Sequence, residues 1–208
     1  MAVATLHQQT GPQYPAIKPG MMGMYIFLAS EVMFFGSLFA MYFYMLGSHP
    51  FSWPPPAPKA DFYVKWYPIP AINTVILLSS AVPAHFAQEA IAENKRARFF
   101  WLLVLTIVLG TLFELGQVYE FYQAIFVRGL TFGFNQFASA FYTMTGFHGA
   151  HVLGGLVLLA LILGRGLRGQ FSGRHHVAVR AVVLYWHFVD VVWIFLFTIL
   201  YLGVTFGQ

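Results

Sequence analysis

Five continuous apolar runs divide the chain, and each is close to the roughly 20 residues that a helix needs to cross the hydrocarbon core of a bilayer. The runs lie at about 22–46, 70–92, 99–126, 138–164 and 182–204. None of them alternates polar and apolar residues with the period of two that is typical of a membrane β-strand. We therefore predict an all-α fold: one polytopic membrane domain over residues 1–208, with five transmembrane helices after an N-terminal tail at 1–21.

The composition agrees with a membrane location. Hydrophobic residues make up 59% of the chain and charged residues only 9%, whereas a soluble domain has about 25% charged residues. The chain has no cysteine, which excludes disulfides, iron–sulfur ligation and thiolate copper sites. The net charge of +4 comes from basic residues in short connecting segments, so it favours a role in membrane orientation over nucleic-acid binding.

The distribution of Lys and Arg predicts the orientation of the bundle. With a cytoplasmic N-terminus, eight basic residues lie inside: Lys18, Lys95, Arg96, Arg98, Arg165, Arg168, Arg174 and Arg180. Three lie on the other side: Lys59, Lys65 and Arg128. Because cytoplasmic loops carry an excess of Lys and Arg, we predict that the N-terminus is cytoplasmic and the C-terminus is outside.

One carboxylate interrupts the first apolar run, YIFLASEVMFFGSLFAMYF, at Glu31. It lies about ten residues into the predicted helix, or about 15 Å at 1.5 Å per residue. A charged side chain at that depth costs about 2.5 kcal/mol or more. Glu31 is therefore either neutral and hydrogen-bonded or exchanges protons through water, and the sequence leaves both states open.

Other polar residues also fall inside or near the predicted membrane spans: His85, Glu89, Glu114, Gln117, Glu120, His148, His151, His187 and Asp190. The pairs His187–Asp190 and His148–His151 each have an i, i+3 spacing, so the members of each pair share a helix face. Such pairs can orient a metal ligand or share a proton. We favour a structural polar network of His148, His151, His187, Asp190, Gln117 and Glu120. Haem ligation by His85 and His187 remains an alternative.

Two local patterns predict packing and loop structure. The small residues Gly146, Ala150 and Gly154 form one stripe on the fourth predicted helix, and such stripes allow close helix packing. The linker SHPFSWPPPAPKADFYVKWYPIP is rich in proline. Because proline cannot continue a helix, we predict an irregular loop at the membrane surface.

Four motifs resemble subunit III of haem–copper respiratory oxidases: SEVMFF, INTVILLSS, GFHGAHVLGG and YWHFVDVVWIFLF. They follow the family's order and spacing from about 23 to 203, which corresponds to the five-helix bacterial form that lacks the first two helices of longer members. The resemblance implies a non-redox accessory subunit of a proton-pumping oxidase of the cytochrome c oxidase type. In that family the haems and coppers belong to subunits I and II, so we expect no catalytic residue, metal or haem in this chain.

The resemblance also assigns two sites. Glu31 matches the family's buried glutamate that reacts with a hydrophobic carbodiimide, which implies a proton-linked acid beside a lipid-filled cleft. Arg165 matches an arginine that binds a phospholipid headgroup. Arg180 replaces an acid found in many members, and Glu114 lies outside the known pattern.

The same resemblance implies a set of partners: oxidase subunits I and II and membrane phospholipids, with a small fourth subunit and a respiratory supercomplex as further candidates. It implies a multi-pass protein of the bacterial inner membrane. Alternatives are subunit III of a quinol oxidase and the accessory subunit of nitric oxide reductase. A membrane transporter or proton channel built on Glu31, and a membrane cytochrome, are more distant alternatives. The sequence does not identify the electron donor.

Overall fold

The computed structural model describes residues 19–48, 53–55, 68–173 and 175–203. Helix bounds are α1, Pro19–Ser48; α2, Ile69–Ala92; α3, Arg96–Tyr122; α4, Gln136–Leu167; and α5, Val177–Leu196. π-helical turns extend α3 over Gln123–Val127 and α5 over Phe197–Leu202. Five helices are long and apolar enough to cross a membrane, so the all-helical prediction is confirmed for the described residues.

The helices are longer than the apolar runs that predicted them, chiefly because helical structure continues beyond the hydrocarbon core. α3 begins at Arg96 and α5 at Val177, which places Arg98 and Arg180 within first turns. α4 begins after Asn135, whose side-chain oxygen accepts a hydrogen bond of 2.7 Å from the Ala138 backbone N–H. This is an N-cap, which satisfies one of the free donors at a helix start.

α2 and α3 form a hairpin that closes at Asn94. This residue has a positive φ of 59°, a conformation that asparagine tolerates better than most residues. The Lys95 backbone N–H donates to the Ala90 carbonyl at 2.8 Å. The turn thereby reverses the chain within a few residues, and the two helices pack along their length.

Trp186 of α5 joins four helices and is fully buried. Its indole Nε1 donates to Ser80 Oγ of α2 at 2.9 Å. Its ring occupies the space left by two glycines: a Cβ added at Gly110 of α3 would lie 2.6 Å from the ring, and one at Gly155 of α4 would lie 2.8 Å from it. The glycines allow the large ring to reach the centre of the bundle.

The predicted packing stripe on α4 was wrong. A Cβ added at Gly146 would meet nothing within 4 Å, and Ala150 is exposed. At Gly154 the nearest contact is the Tyr185 hydroxyl, 3.6 Å from an added Cβ. A row of small residues shows only that close approach is possible, and here the helix turns that row away from its neighbours.

α1 lies against α5 and α4 at the side of the bundle formed by the other helices. Its buried residues are Met21, Phe35 and Tyr42. The Tyr42 hydroxyl is 3.4 Å from the Ile199 carbonyl and accepts a hydrogen bond of 3.1 Å from Trp53 Nε1. Most of the predicted tail lies outside the described residues, and its residues 19–21 are not a tail but the start of α1. Most of the predicted proline-rich loop also lies outside the described residues, as do Lys18, Lys59, Lys65 and Arg174.

Candidate functional site

Glu31 and His151, which are 120 residues apart in the chain, meet between α1 and α4. Glu31 Oε2 lies 3.0 Å from His151 Nε2. His151 is near the middle of α4, and Glu31 is twelve residues after the first residue of α1, which is about 18 Å at 1.5 Å per residue. Both residues were predicted to be important, and the structure brings them together.

The hydrogen bonds of His151 define the proton count of the pair. Its Nδ1 lies 2.7 Å from the Phe147 carbonyl, which can only accept, so Nδ1 carries a hydrogen. The bond between Nε2 and Glu31 then holds one proton, shared between a neutral acid with a neutral imidazole or a carboxylate with an imidazolium. In both forms the pair has no net charge, which makes it compatible with the membrane interior.

Aromatic rings surround the pair on three helices. The His151 ring stacks on Phe34 with centroids 6.0 Å apart and meets Phe35 edge-on at 5.0 Å. The Tyr185 hydroxyl of α5 donates to the His151 carbonyl at 3.0 Å. The Glu31 and His151 side chains remain 17% and 18% exposed. The pair is therefore enclosed but reaches the surface of the bundle, where lipid or another subunit can contact it.

His148 has a different environment from His151, although the two were predicted as a possible ligand pair. It is buried, and its Nε2 lies 3.2 Å from the Val189 carbonyl of α5. Because that carbonyl accepts, Nε2 carries the hydrogen. The ring also packs on Trp193 with centroids 4.9 Å apart. His148 therefore connects α4 to α5, whereas His151 faces α1.

His187 and Asp190 share a face of α5, with His187 Nδ1 and Asp190 Oδ2 3.9 Å apart. This is an ion-pair distance and is longer than a direct hydrogen bond. The His187 ring centroid lies 6.4 Å from that of His85 on α2. His85 Nε2 in turn lies 3.4 Å from Glu89 Oε1. These four residues line one side of the contact between α2 and α5.

Gln117 and Glu120 lie far along α3, near its π-helical end, and are both buried. Each interacts with the Tyr201 hydroxyl, which extends from the corresponding end of α5. These residues form a local group at that end of the bundle. The predicted polar network is thus not continuous. Its residues form separate groups, which lie around Glu31, Val189, Asp190 and Tyr201.

Glu114 lies against α4 at a glycine. Its Oε1 would be 3.1 Å from a Cβ added at Gly149, and its Oε2 is buried. Across the described residues, no three His, Asp or Glu side chains are grouped so that they could hold a metal ion. Glu31 and His151 can bind and share one proton.

Arg165 lies in the last turn of α4. Its Nε donates to Gln170 Oε1 at 2.9 Å, and its guanidinium carbon is 5.4 Å from the centre of the Phe171 ring. Both contacts hold the side chain at the helix end. Within the described part of the chain, the two Nη groups of Arg165 are not used in these contacts. They can donate to an anionic ligand.

Tyr185 and the aromatic enclosure of the pair were not predicted from the sequence. Tyr185 begins the YWHFVDVVW motif, but its hydroxyl bonds to a backbone carbonyl, which no pattern of side chains reveals. The pairing of Glu31 with His151 had one available signal. Both are ionisable residues near the centres of apolar helices, and such residues require partners.

Comparisons with known proteins agree on one family. The family model described as cytochrome c oxidase subunit III matches residues 3–204. Cytochrome c oxidase subunit 3 of Thermostichus vulcanus is 37% identical, with 97% of this chain and 93% of that protein aligned. The protein of the same name from Synechocystis is 40% identical over 88% of this chain and 75% of its own length. A probable cytochrome c oxidase subunit 3 of Rickettsia conorii is 39% identical over 94% and 70%.

Proposed function

Because the chain belongs to the cytochrome c oxidase subunit III family, we propose that it is a non-redox accessory subunit of a proton-pumping terminal oxidase. In this role the chain supports proton uptake, holds phospholipid and prolongs the working life of the oxygen-reducing site. Oxidase subunits I and II are the proposed partners and carry the haem and copper. The observation that carries the proposal is the Glu31–His151 pair, whose Oε2 and Nε2 atoms are 3.0 Å apart between two helices that are long and apolar enough to cross a membrane.

The pair supports a proton-linked role for Glu31. One proton lies between Oε2 and Nε2, and its transfer between the two atoms changes the local charges without changing the net charge. Such a group can respond to charge and water in a neighbouring subunit. The remaining surface exposure of both side chains makes that contact sterically possible.

We also propose that Arg165 binds a phospholipid headgroup. Arginine forms bidentate hydrogen bonds with phosphate, and the Phe171 and Gln170 contacts hold the guanidinium at the end of α4. An apolar groove of about 230 Å³ between α1 and α5 begins at Val32, next to Glu31. It can accept the end of an acyl chain. Arg165 lies fourteen residues after His151, or about 21 Å along α4, so a lipid bound there would pass the pair before its tail reached the groove.

The proposed orientation has the N-terminus in the cytoplasm of a bacterium, with the protein in the inner membrane. The natural chain has no cysteine, so single cysteines report the side of each loop. We expect Ser172→Cys, between α4 and α5, to react with a membrane-impermeant maleimide only in inverted vesicles. Thr131→Cys, between α3 and α4, should react only in right-side-out cells. The opposite pattern would reverse the topology.

The experiment that tests the function compares oxygen consumption over time for the intact complex, the complex depleted of this chain and the Glu31→Ala variant. We expect the depleted complex to keep its haem spectrum and begin at a rate of the same order. Its activity should then decline faster, because the support of the neighbouring subunit and the buried acid are lost. Glu31→Ala should show a milder decline, since the helices remain packed.

Two outcomes would contradict this function. Immediate loss of activity together with loss of haem would indicate a cofactor-holding chain. A depleted complex with an unchanged time course would show that the chain does not sustain turnover. The Gly146→Ala variant is a matched control, because the added methyl group meets nothing within 4 Å.

A further inference from the structure

Four ionisable residues form a strip along the contact between α2 and α5. Glu89 and His85 belong to α2, while His187 and Asp190 belong to α5. The strip begins one turn from the end of α2 at Glu89. It extends to Asp190, thirteen residues from the start of α5 and therefore about 20 Å along that helix. We refer to these four residues as the polar strip.

The polar strip is open on one side. The side chains of His85 and Glu89 are 56% and 54% exposed, and that of His187 is 36% exposed. Asp190 lies behind them with 6% exposure. Within the described chain neither oxygen of Asp190 has a hydrogen-bond partner. The strip thus has a buried carboxyl that pairs with the His187 imidazole at 3.9 Å, and it presents His85, Glu89 and His187 outward.

Lipid chains cannot satisfy these groups. Ionisable residues in membrane spans face the bundle interior, a water-filled cavity or another protein. The charged residues beyond the end of α2 pair with each other and are not part of the polar strip. Lys95 hydrogen-bonds to Glu93 and lowers the pKa of that carboxyl. The outward groups of His85, Glu89 and His187 therefore favour polar partners from outside the described chain.

The outer face of α3 shows what a lipid-facing surface of this protein looks like. Its exposed apolar and aromatic residues recur at intervals of three and four: Trp101, Leu105, Val108, Leu112, Leu115, Tyr119 and Tyr122. The exposed Thr111 hydroxyl donates to the Ile107 carbonyl of its own helix at 2.7 Å. This series contains no acidic or basic residue. The α2–α5 face differs from it because it exposes the charged or titratable side chains of His85, Glu89 and His187.

We propose that the polar strip is a docking surface for a membrane-spanning helix of another oxidase subunit, one that presents hydrogen-bond donors at this depth. This inference rests on the proposed function and specifies the face through which the chain joins the complex. A donor such as Ser, Thr, Tyr or Arg would engage the Glu89 carboxyl and the outward imidazoles. A donor or cation opposite the Glu89 carboxyl provides charge complementarity.

A second copy of this chain does not fit the same surface. Membrane homodimers have a two-fold axis along the membrane normal, which places identical residues at equal depth. Glu89 would then face Glu89, and His85 would face His85. Like charges or like groups would then meet across the interface. A different subunit is therefore the occupant that the chemistry favours.

The test uses a photoreactive benzoylphenylalanine at Val82, one turn from His85 on the same face of α2. Val82 is 56% exposed and lies ten residues from the end of its helix. The matched control is the same amino acid at Leu105, which is 47% exposed and lies nine residues from the start of α3. Both variants are incorporated into the whole oxidase complex in native membranes and irradiated.

We expect the probe at Val82 to form a covalent adduct with another membrane subunit of the oxidase, and the probe at Leu105 to react only with lipid. Adducts of the Val82 probe with lipid alone, or with a second copy of the chain, would overturn the proposal. If the chain did not copurify with the oxidase at all, the proposed function would fail first. Copurification with a lipid adduct at Val82 would reject only the docking surface.

A second measurement examines the polar contacts themselves. The double variant His85→Phe/Glu89→Leu replaces two polar groups with apolar ones of similar size. We expect detergent washing to remove this variant from the complex at least several-fold faster than the natural chain. Leu105→Phe on α3 serves as the control and should be retained normally. Equal retention of the double variant would show that the strip does not contribute to docking.

Discussion

Replacing Gly110 with alanine is expected to destabilise the helix bundle by about 1–3 kcal/mol, the usual cost of overpacking a well-filled core. The added Cβ would lie 2.6 Å from the Trp186 ring and 2.9 Å from the Leu156 side chain. Neither side chain can move away easily, because the Trp186 indole is buried and bonded to Ser80. The conflict would separate α3 from α4 and α5.

Gly146→Ala provides a matched control for that substitution. Both changes add one methyl group within a helix, and alanine has the higher intrinsic helix propensity by about 1 kcal/mol. At Gly146 the methyl group meets nothing within 4 Å, so we expect a neutral or stabilising effect. The measurement is the unfolding of each variant in lipid nanodiscs during a titration with sodium dodecyl sulfate.

A second substitution can test whether the Trp186 ring causes the loss. Trp186→Phe shortens the ring and gives up the hydrogen bond to Ser80, so it should destabilise the natural protein. In the Gly110→Ala background the same change should cost less, because the smaller ring leaves space for the methyl group. A coupling energy near zero between these two positions would indicate that contact between the Trp186 ring and the methyl group added at Gly110 does not cause the loss of stability.

The five helices were predictable because an apolar run is a local property of the chain. Each membrane span requires about 20 apolar residues, and the runs show this requirement directly. The ends were less accurate: α5 begins at Val177, five residues before the predicted start. Polar residues such as Arg180 end the apolar run but not the helix, since backbone hydrogen bonding continues into the interface.

Contacts between helices were less predictable. Gly146, Ala150 and Gly154 form the regular row that suggested close packing, yet Gly110 and Gly155 are the glycines that admit Trp186. These two belong to different helices and complement one large side chain, so neither helix alone shows the pattern. The packing of Trp186 against these glycines depends on which helix faces meet. A single sequence does not show which faces those are.

The candidate site was less predictable than the helices and more predictable than the contacts between them. Glu31 was predicted from its depth and from the family resemblance, and His151 from its i, i+3 spacing with His148 in GFHGAH. Their contact joins α1 to α4 across 120 residues. The need for a partner was predictable from the cost of a charge in the membrane, but several histidines could have met that need. The rotation of α4 about its axis determines which histidine pairs with Glu31, because it directs His151 to α1 and His148 to α5.

Glu31 is expected to be the carboxyl whose reaction with dicyclohexylcarbodiimide depends on His151. The reagent adds to a protonated carboxyl, forming an O-acylisourea that rearranges to a stable N-acylurea. In the natural chain the Nε2 atom of His151 competes for that proton at 3.0 Å. His151→Phe removes the competing base and keeps the aromatic contact with Phe34 and Phe35. The acid then holds its proton alone in apolar surroundings and should react faster.

The size of the effect follows from the hydrogen bond that is lost. A hydrogen bond to a charged group contributes about 1.5–3 kcal/mol, so the labelling rate at Glu31 should rise about tenfold or more in His151→Phe. Glu31→Gln should abolish labelling at this position, while its amide can still donate to Nε2 and preserve the packing. Asp190→Asn is the control and should leave Glu31 labelling unchanged. Mass spectrometry of the α1 peptide measures the modification separately from that at Glu114. Slower labelling of Glu31 in His151→Phe would mean that the imidazole activates the acid, and the shared-proton description of the pair would have to be abandoned.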